Sequence, residues 1–172
     1  MKKILETERL ILREFTIEDA AFIFELLNTD EWKKYIGDRG IKNLNDAEVY
    51  LTDRLMMSYK KSGFGFYLVQ LKNENIPIGM CGLAKRDSLD DVDIGYALLP
   101  AYFKKGYAYE AASAALAYAK NNLRLKRIIA ITIEIHSDSI KLLEKLNLKF
   151  EKKMFMPDDP EELVIYGINF NE

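Results

Sequence analysis

The pattern of apolar and polar positions divides the chain into short segments, each with one apolar face. Residues 9–14 read as a strand. Thr16 then opens a helix, with Asp19 three positions on in the manner of a capping box. Ala20, Ile23, Phe24 and Leu27 give that helix its apolar stripe. Asn45 with Glu48 repeats the start signal, and Ala47, Leu51, Leu55 and Tyr59 follow at a spacing of four. Between these helices, from about Thr29 to Leu44, Trp32, Tyr35, Gly37 and Gly40 lie in a loop or broken helix. Three strands follow, over 66–71, 76–84 and 92–99, and polar turns at 73–75 and 87–91 make them a meander of hairpins. Pro100 has no N–H for a ladder and ends the third. A basic loop with Lys104, Lys105 and Gly106 leads into an Ala-rich helix over 107–121. A β-branched strand covers 127–135. Ser137 or Asp138 caps a short helix over 139–146, after which Asn147 suits a left-handed position. Strands over 150–156 and 163–170 flank the turn 157–160.

The order β-α-α-β-β-β-α-β-α-β-β implies an α/β (α+β) fold. Hairpins followed by a strand–helix–strand crossover predict one mixed, mainly antiparallel, seven-stranded sheet with helices on both faces. No linker interrupts 1–172, so a single domain is expected.

Composition narrows the classes. In 172 residues, 25 basic and 27 acidic side chains leave a formal charge of -2, which gives no general attraction to nucleic acid. Cys81 is the sole cysteine, so no intrachain disulfide forms, and a reducing, cytoplasmic location is expected. The start of the chain lacks the apolar core of a signal segment, and no stretch predicts a membrane span. His136 is the sole histidine, which argues against histidine-based metal sites and most catalytic triads; no metal is expected.

The chemistry-bearing region runs from Asp93 to Ala111. A strand ends in proline, a basic loop with one glycine follows, and a helix begins. Free N–H groups and the helix dipole make such an end a phosphate site. Gly106 permits close backbone approach, Lys104 and Lys105 add charge, and Ala108 keeps the first turn uncrowded. The broken strand also leaves donors near Leu98 and Leu99 with which an extended amide ligand pairs as an extra strand would. In isolation, a solvated loop before a core helix accounts for the same residues equally well.

Four stretches taken together resemble the GNAT acetyltransferase superfamily, and within it the ribosomal-protein N-acetyltransferase-like branch. They are residues 7–13; Ile78-Gly79 with Gly82-Leu83; residues 93–96 through 106–111; and Ser139 with residues 143–146. The resemblance implies acetyl-CoA as acyl donor, a sheet that splays between the strand ending near Leu99 and the strand at 127–135, and pantetheine in the gap. It implies that Leu98 and Leu99 contact pantetheine and that the amides of Lys105, Gly106, Tyr107 and Ala108 hold the pyrophosphate. Lys104, Tyr109, His136 and Ser139 complete the implied cofactor-binding set. Three positions depart from the pattern. Lys104 stands where a second glycine is common, with Phe103 at the loop's first position. His136-Ser137-Asp138-Ser139 replaces Asn-x-x-Ser, and Asn147-Leu148 replaces Gly-Phe.

Acetylation of an amine requires deprotonation of the amine, polarisation of the thioester carbonyl and protonation of the leaving thiolate. A backbone N–H near Leu98 or Leu99 is the candidate for the carbonyl. Asp93, where several family members carry an acid, and Glu134 on the opposite lip are alternative bases, and each reads equally as a plain carboxylate. The tyrosine that serves as acid elsewhere in the superfamily is Leu143 here; Ser139 resembles a serine proposed for that role, or only caps the helix. Cys81 lies in an apolar strand and reads as core rather than nucleophile. Trp32, Tyr35 and Tyr50 line an acceptor groove or pack in the core. The acidic turns at 87–91 and 158–162 are solvated or attract a cationic acceptor. The expected partner is an amine, either a peptide N-terminus or a small molecule, with the protein a monomer or homodimer. The rival reading is a non-catalytic acyl-CoA-binding or sensing protein on the same fold.

Overall fold

The computed structural model describes residues 1–171. Its strands are β1 (Lys3–Glu6), β2 (Leu10–Arg13), β3 (Phe66–Leu71), β4 (Pro77–Ala84), β5 (Asp93–Leu98), β6 (Arg127–Ile133), β7 (Lys149–Phe155) and β8 (Glu162–Asn169). Its helices are α1 (Ala20–Leu27), α2 (Asp30–Tyr35), α3 (Leu44–Tyr50), α4 (Met57–Ser62), α5 (Tyr107–Asn121) and α6 (Ser137–Lys145). The strands form one eight-stranded sheet in the order β1-β2-β3-β4-β5-β6-β8-β7. All neighbours are antiparallel except β5 and β6. The mixed sheet with helices on both faces is as expected, but it has eight strands rather than seven. The added strand is β1, whose alternation is too short to register in the sequence and which exists because β2 offers it an edge.

One face of the sheet packs Leu10, Leu12, Tyr67, Cys81 and Ile94 against α5 and α6. Alanines 111, 112, 115 and 119 of α5 are buried, and their small side chains let the helix lie close to the strands. The other face packs Leu68, Met80 and Leu99 against α1, α2, α3 and the segment after α3. The capping box of Thr16 and Asp19 is present, though its first turn is 3-10 rather than α. Asp19 also receives both Nη atoms of the buried Arg13, at 2.9 and 2.8 Å, so one carboxylate ties α1 to β2.

Several boundaries differ from expectation. The segment after Thr29 contains α2, capped by Thr29. The start of α3 is Asn43, whose side chain accepts from Asp46 N–H, and not Asn45 with Glu48. Residues Leu51–Met56 form a π-helical stretch between α3 and α4, a geometry frequent at functional positions. His136 rather than Ser137 or Asp138 occupies the N-cap of α6. Asn147 is left-handed, φ 66°, as its place after α6 requires. Among the described residues no helix is long and apolar enough to cross a membrane, and no group of His, Cys, Asp and Glu has the makings of a metal site.

Candidate active site

The site begins where the sheet comes apart. Strands β5 and β6 pair only through Asp93 with Ile129 and Ile94 with Ala130; beyond these pairs β5 runs alone on that side to Leu98. Two hydrogen bonds fix which backbone groups face the gap. Leu99 N–H donates to Ile78 C=O at 2.8 Å, on the β4 side, and Ile129 N–H donates to Val92 C=O at 3.0 Å, on the β6 side. Alternation along the strand therefore turns the amides of Tyr96 and Leu98 into the gap. This corrects the pairing of Leu98 with Leu99 as exposed donors. Leu99 has spent its N–H on Ile78, and its carbonyl accepts from Tyr102 N–H at 3.0 Å. The groups that replace it are those of Tyr96.

At the wide end lies the loop between Leu98 and α5. Lys104 (φ 58°) and Gly106 (φ 82°) are both left-handed, and Gly106 is the N-cap of α5. Alternating hand in successive residues turns backbone N–H groups toward one point and forms an anion nest, continued by the free amides of Tyr107, Ala108 and Tyr109 in the first helical turn. The positive φ of Lys104 accounts for the glycine common at that position. A side chain there costs about 1 kcal/mol, and here it brings a cation.

Arg9, absent from the expected set, locks this loop. Its Nη1 donates to Lys105 C=O at 2.9 Å, its Nε to Glu110 at 2.7 Å, and its guanidinium lies 4.4 Å from the Tyr107 ring centroid. Glu110 also accepts from Thr7 Oγ1 at 2.6 Å and from Arg9 N–H at 2.9 Å. Burial works against the ionised Glu110, but these hydrogen bonds outweigh it and hold its pKa below the usual value. The Tyr109 ring is turned away toward α6, with Lys145 Nζ 4.3 Å from its centroid, so its contribution to an anion is its backbone N–H.

At the closed end of the gap sits Asp93, 2% exposed. Arg86 grips it with Nε at 2.9 Å and an Nη at 3.3 Å. Burial raises the Asp93 pKa, and the Arg86 charge and hydrogen bonds pull against that rise without cancelling it. Glu134 is placed differently. It lies past the end of β6, its carboxylate largely exposed and 3.0 Å from Lys153. Of the two candidate bases, only Asp93 is buried beside the opening.

Across the gap, Tyr96 reaches α6. Its hydroxyl is 3.1 Å from Ser139 Oγ and 3.3 Å from Ser139 C=O, and burial pushes its pKa up to about 12. Tyr96 lies in the 93–96 stretch that carries the resemblance, but nothing in the sequence marks a strand tyrosine as bridging two lips of a cleft. His136 is half-buried and stacks on Tyr35 of α2, with centroids 3.9 Å apart and planes within 7°. Its ring is thus committed to the helices opposite α5, which leaves its expected cofactor contact without support; burial lowers its pKa. Trp32 is 6% exposed and belongs to the core, whereas Tyr35 and Tyr50 are part-exposed. Cys81 is fully buried, its thiol pushed up to about 12 by desolvation, as a core residue should be. The acidic turn at 87–91 is partly neutralised, with Asp87 near Lys61 and Asp91 bonded to Arg127.

Known proteins agree with this geometry. Residues 9–149 match the Acetyltransferase (GNAT) domain family. The N-acetyltransferase YoaA of Bacillus subtilis is 28% identical over 174 residues, covering 98% of this chain and 97% of its own. The crystal structure of a GNAT-family acetyltransferase from Bacillus anthracis superposes with a TM-score of 0.80 at 28% identity, over 96% of this chain and 97% of that one. A ribosomal L7/L12 alpha-N-protein acetyltransferase in complex with coenzyme A shares the fold, with a TM-score of 0.83 at 12% identity over 98% of both chains. A sheet that opens after two parallel pairs, beside a left-handed loop at a helix N-terminus, thus accompanies the sequence match, and the chain belongs to the GNAT acetyltransferase family.

Proposed function

We propose that residues 1–172 act as one domain that transfers the acetyl group of acetyl-CoA to an amine by direct attack in a ternary complex. The observation that carries this reading is the early end of β5–β6 pairing next to the Lys104–Gly106 loop. The amide edge of Tyr96 and Leu98 offers an extended pantetheine the hydrogen bonds of a missing strand. The amides of Lys105, Gly106, Tyr107, Ala108 and Tyr109, with the charges of Lys104 and Lys105, suit a pyrophosphate. Coenzyme A bound by a protein of the same fold supports this choice of cofactor.

In the reaction the amine nitrogen bonds to the carbonyl carbon and the carbon–sulfur bond breaks. An inward N–H of Tyr96 or Leu98 stabilises the oxygen that gains charge. Asp93 takes the amine proton, directly or through a water. Tyr96, steadied by Ser139, faces the departing sulfur. A phenol near 12 is a weaker acid than a thiol near 8.5 by roughly three units, so this pair stabilises the thiolate by hydrogen bonding rather than full proton transfer. Because an α-amine loses its proton at about 7.7–8.0 and lysine only at about 10.4, a carboxylate base favours α-amines, as in the ribosomal-protein branch. No observation favours a non-catalytic binder. Action in the cytoplasm as a monomer or homodimer is part of this reading.

The test is release of CoA from acetyl-CoA over a panel of peptides, amino acids, polyamines and other amines. Amine-dependent release is expected; tight CoA binding without turnover on any amine would instead support the sensing protein.

A further inference from the structure

On the face away from α5, helix α2 meets the lip of the gap through a residue that the reaction above does not use. His136 follows the end of β6. Its N–H donates to Ile133 C=O at 3.0 Å, and its C=O accepts from Ile140 N–H at 3.2 Å in the first turn of α6. Its ring stacks on Tyr35 of α2, with centroids 3.9 Å apart and planes 7° from parallel. Three residues further on, Ser139 meets the hydroxyl of Tyr96 on β5 at 3.1 Å. One turn of α6 therefore carries both the contact to α2 and the contact to the group that faces the departing sulfur.

The other end of α2 is held by the core. Trp32 lies one turn before Tyr35, on the same side of the helix. It is 6% exposed and buried in the apolar cluster that contains Leu99, the residue after β5. Trp32 thus ties α2 to the β5 side and Tyr35 ties it to the β6 side. Moving the helix outward would expose an indole and separate two stacked rings. Lys34 steadies the same ring, with its Nζ 4.9 Å from the Tyr35 centroid. A cofactor held on the α5 side leaves the α2 side as the way in for the amine. We infer that the Tyr35–His136 stack is a fixed wall of the acceptor entrance, so that the acceptor carries its amine on a carbon with little bulk attached. This makes Tyr35 and His136 specificity-determining residues, and it rests on the transferase reading. His136 and Ser139 are separated by about 4.5 Å along the axis of α6, so bulk beside the reacting nitrogen meets the stack first. Rings packed face to face do not make room for extra methylenes without cost.

The experiment uses the full chain and matched amines that differ in bulk beside the nitrogen: glycylglycine against leucylglycine, and n-butylamine against sec-butylamine. For wild type, kcat/KM is expected to be roughly tenfold or more higher for the smaller member of a pair that turns over. In Tyr35→Ala and in His136→Ala that ratio should fall toward one through the acceptor KM, while KM for acetyl-CoA moves little. Tyr35→Phe, which keeps the ring, should restore most of the ratio. Tyr35→Leu, which fills part of the space, should give an intermediate ratio and serves if the alanine variant fails to fold. Equal rates for large and small amines in wild type, or a ratio unchanged in the Tyr35 variants, overturns the wall. Loss of acetyl-CoA affinity in His136→Ala with the ratio intact also overturns it and makes His136 a cofactor contact. If no amine turns over, thermal melting in saturating CoA decides. A shift with the small amines that the bulky ones give only in Tyr35→Ala or Tyr35→Leu sustains the wall and defeats the transferase reading. Any other pattern of shifts defeats the wall.

Discussion

Arg9 and Glu110, 101 residues apart in the chain, are joined at 2.7 Å from Nε to the carboxylate, and this contact fixes the loop that precedes α5. The same guanidinium holds Lys105 C=O. A carboxylate in the first turn of a helix is favourable to the helix but repels a phosphate at the same place. Arg9 cancels that charge and keeps the amides aimed. Arg9→Ala is therefore expected to weaken CoA binding by tenfold or more, about 1.4 kcal/mol, with a small loss of melting temperature. Calorimetry with CoA checks it. Unchanged affinity would make Arg9 a surface tie only.

The left-handed pair Lys104 and Gly106 separates strain from charge. Lys104→Gly relieves an unfavourable backbone angle but removes a cation, so melting temperature should hold or rise while CoA affinity falls two- to fivefold, and falls less at high salt. Gly106→Val places a β-branched side chain at φ 82°, and even its Cβ would sit 3.2 Å from Arg9. It should lose both stability and at least tenfold in CoA affinity. A folded Gly106→Val protein with normal affinity would contradict the phosphate assignment.

The pH dependence of turnover should report Asp93. A base acts only when ionised, and burial raises the Asp93 pKa, so kcat/KM should rise with pH through a value above that of an exposed aspartate. Arg86→Gln removes the charge that opposes this rise, and the acidic limb should then move to still higher pH. Asp93→Asn should reduce kcat by roughly a hundredfold or more with little change in acetyl-CoA affinity, whereas Glu134→Gln should stay near wild type. The linked stability has the matching sign. A raised native pKa favours folding below the unfolded value and loses that contribution as pH rises through the native one. The stability of Asp93→Asn relative to wild type should accordingly improve over that interval. Near wild-type rates for Asp93→Asn and Glu134→Gln alike would mean that the amine arrives already deprotonated or that another group takes its proton.

Tyr96 and Ser139 should behave as a unit. Tyr96→Phe and Ser139→Ala are each expected to lower kcat about tenfold while KM for acetyl-CoA changes little. The double variant should lose much less than the product of the two, since the hydroxyls act through one hydrogen bond. Multiplicative losses, or losses confined to melting temperature, would make the contact structural.

Much of this protein was legible in its sequence because the deciding forces are local. The pairing of apolar periodicity with Pro100, Gly106 and the alanines of α5 places strand, loop and helix correctly, and the capping signals of Thr16 and the left-handed Asn147 depend only on neighbours a few residues away. The order of these elements sufficed for the fold class, and four short stretches of residues carried the resemblance to the family. What tertiary structure decided is everything that depends on partners distant in the chain. β1 is a strand only because β2 is beside it. Leu98 and Leu99 look alike in sequence, yet pairing with Ile78 occupies one and leaves the other facing the gap. Asp93 and Glu134 are equal as carboxylates until burial and Arg86 set one apart from a solvent ion pair with Lys153. Tyr96 meets Ser139, Arg9 meets Glu110, and Arg86 meets Asp93 only once the sheet has formed. Hydrogen bonds and charges take their strength from direction, distance and exclusion of water, and none of these is set until the chain has folded.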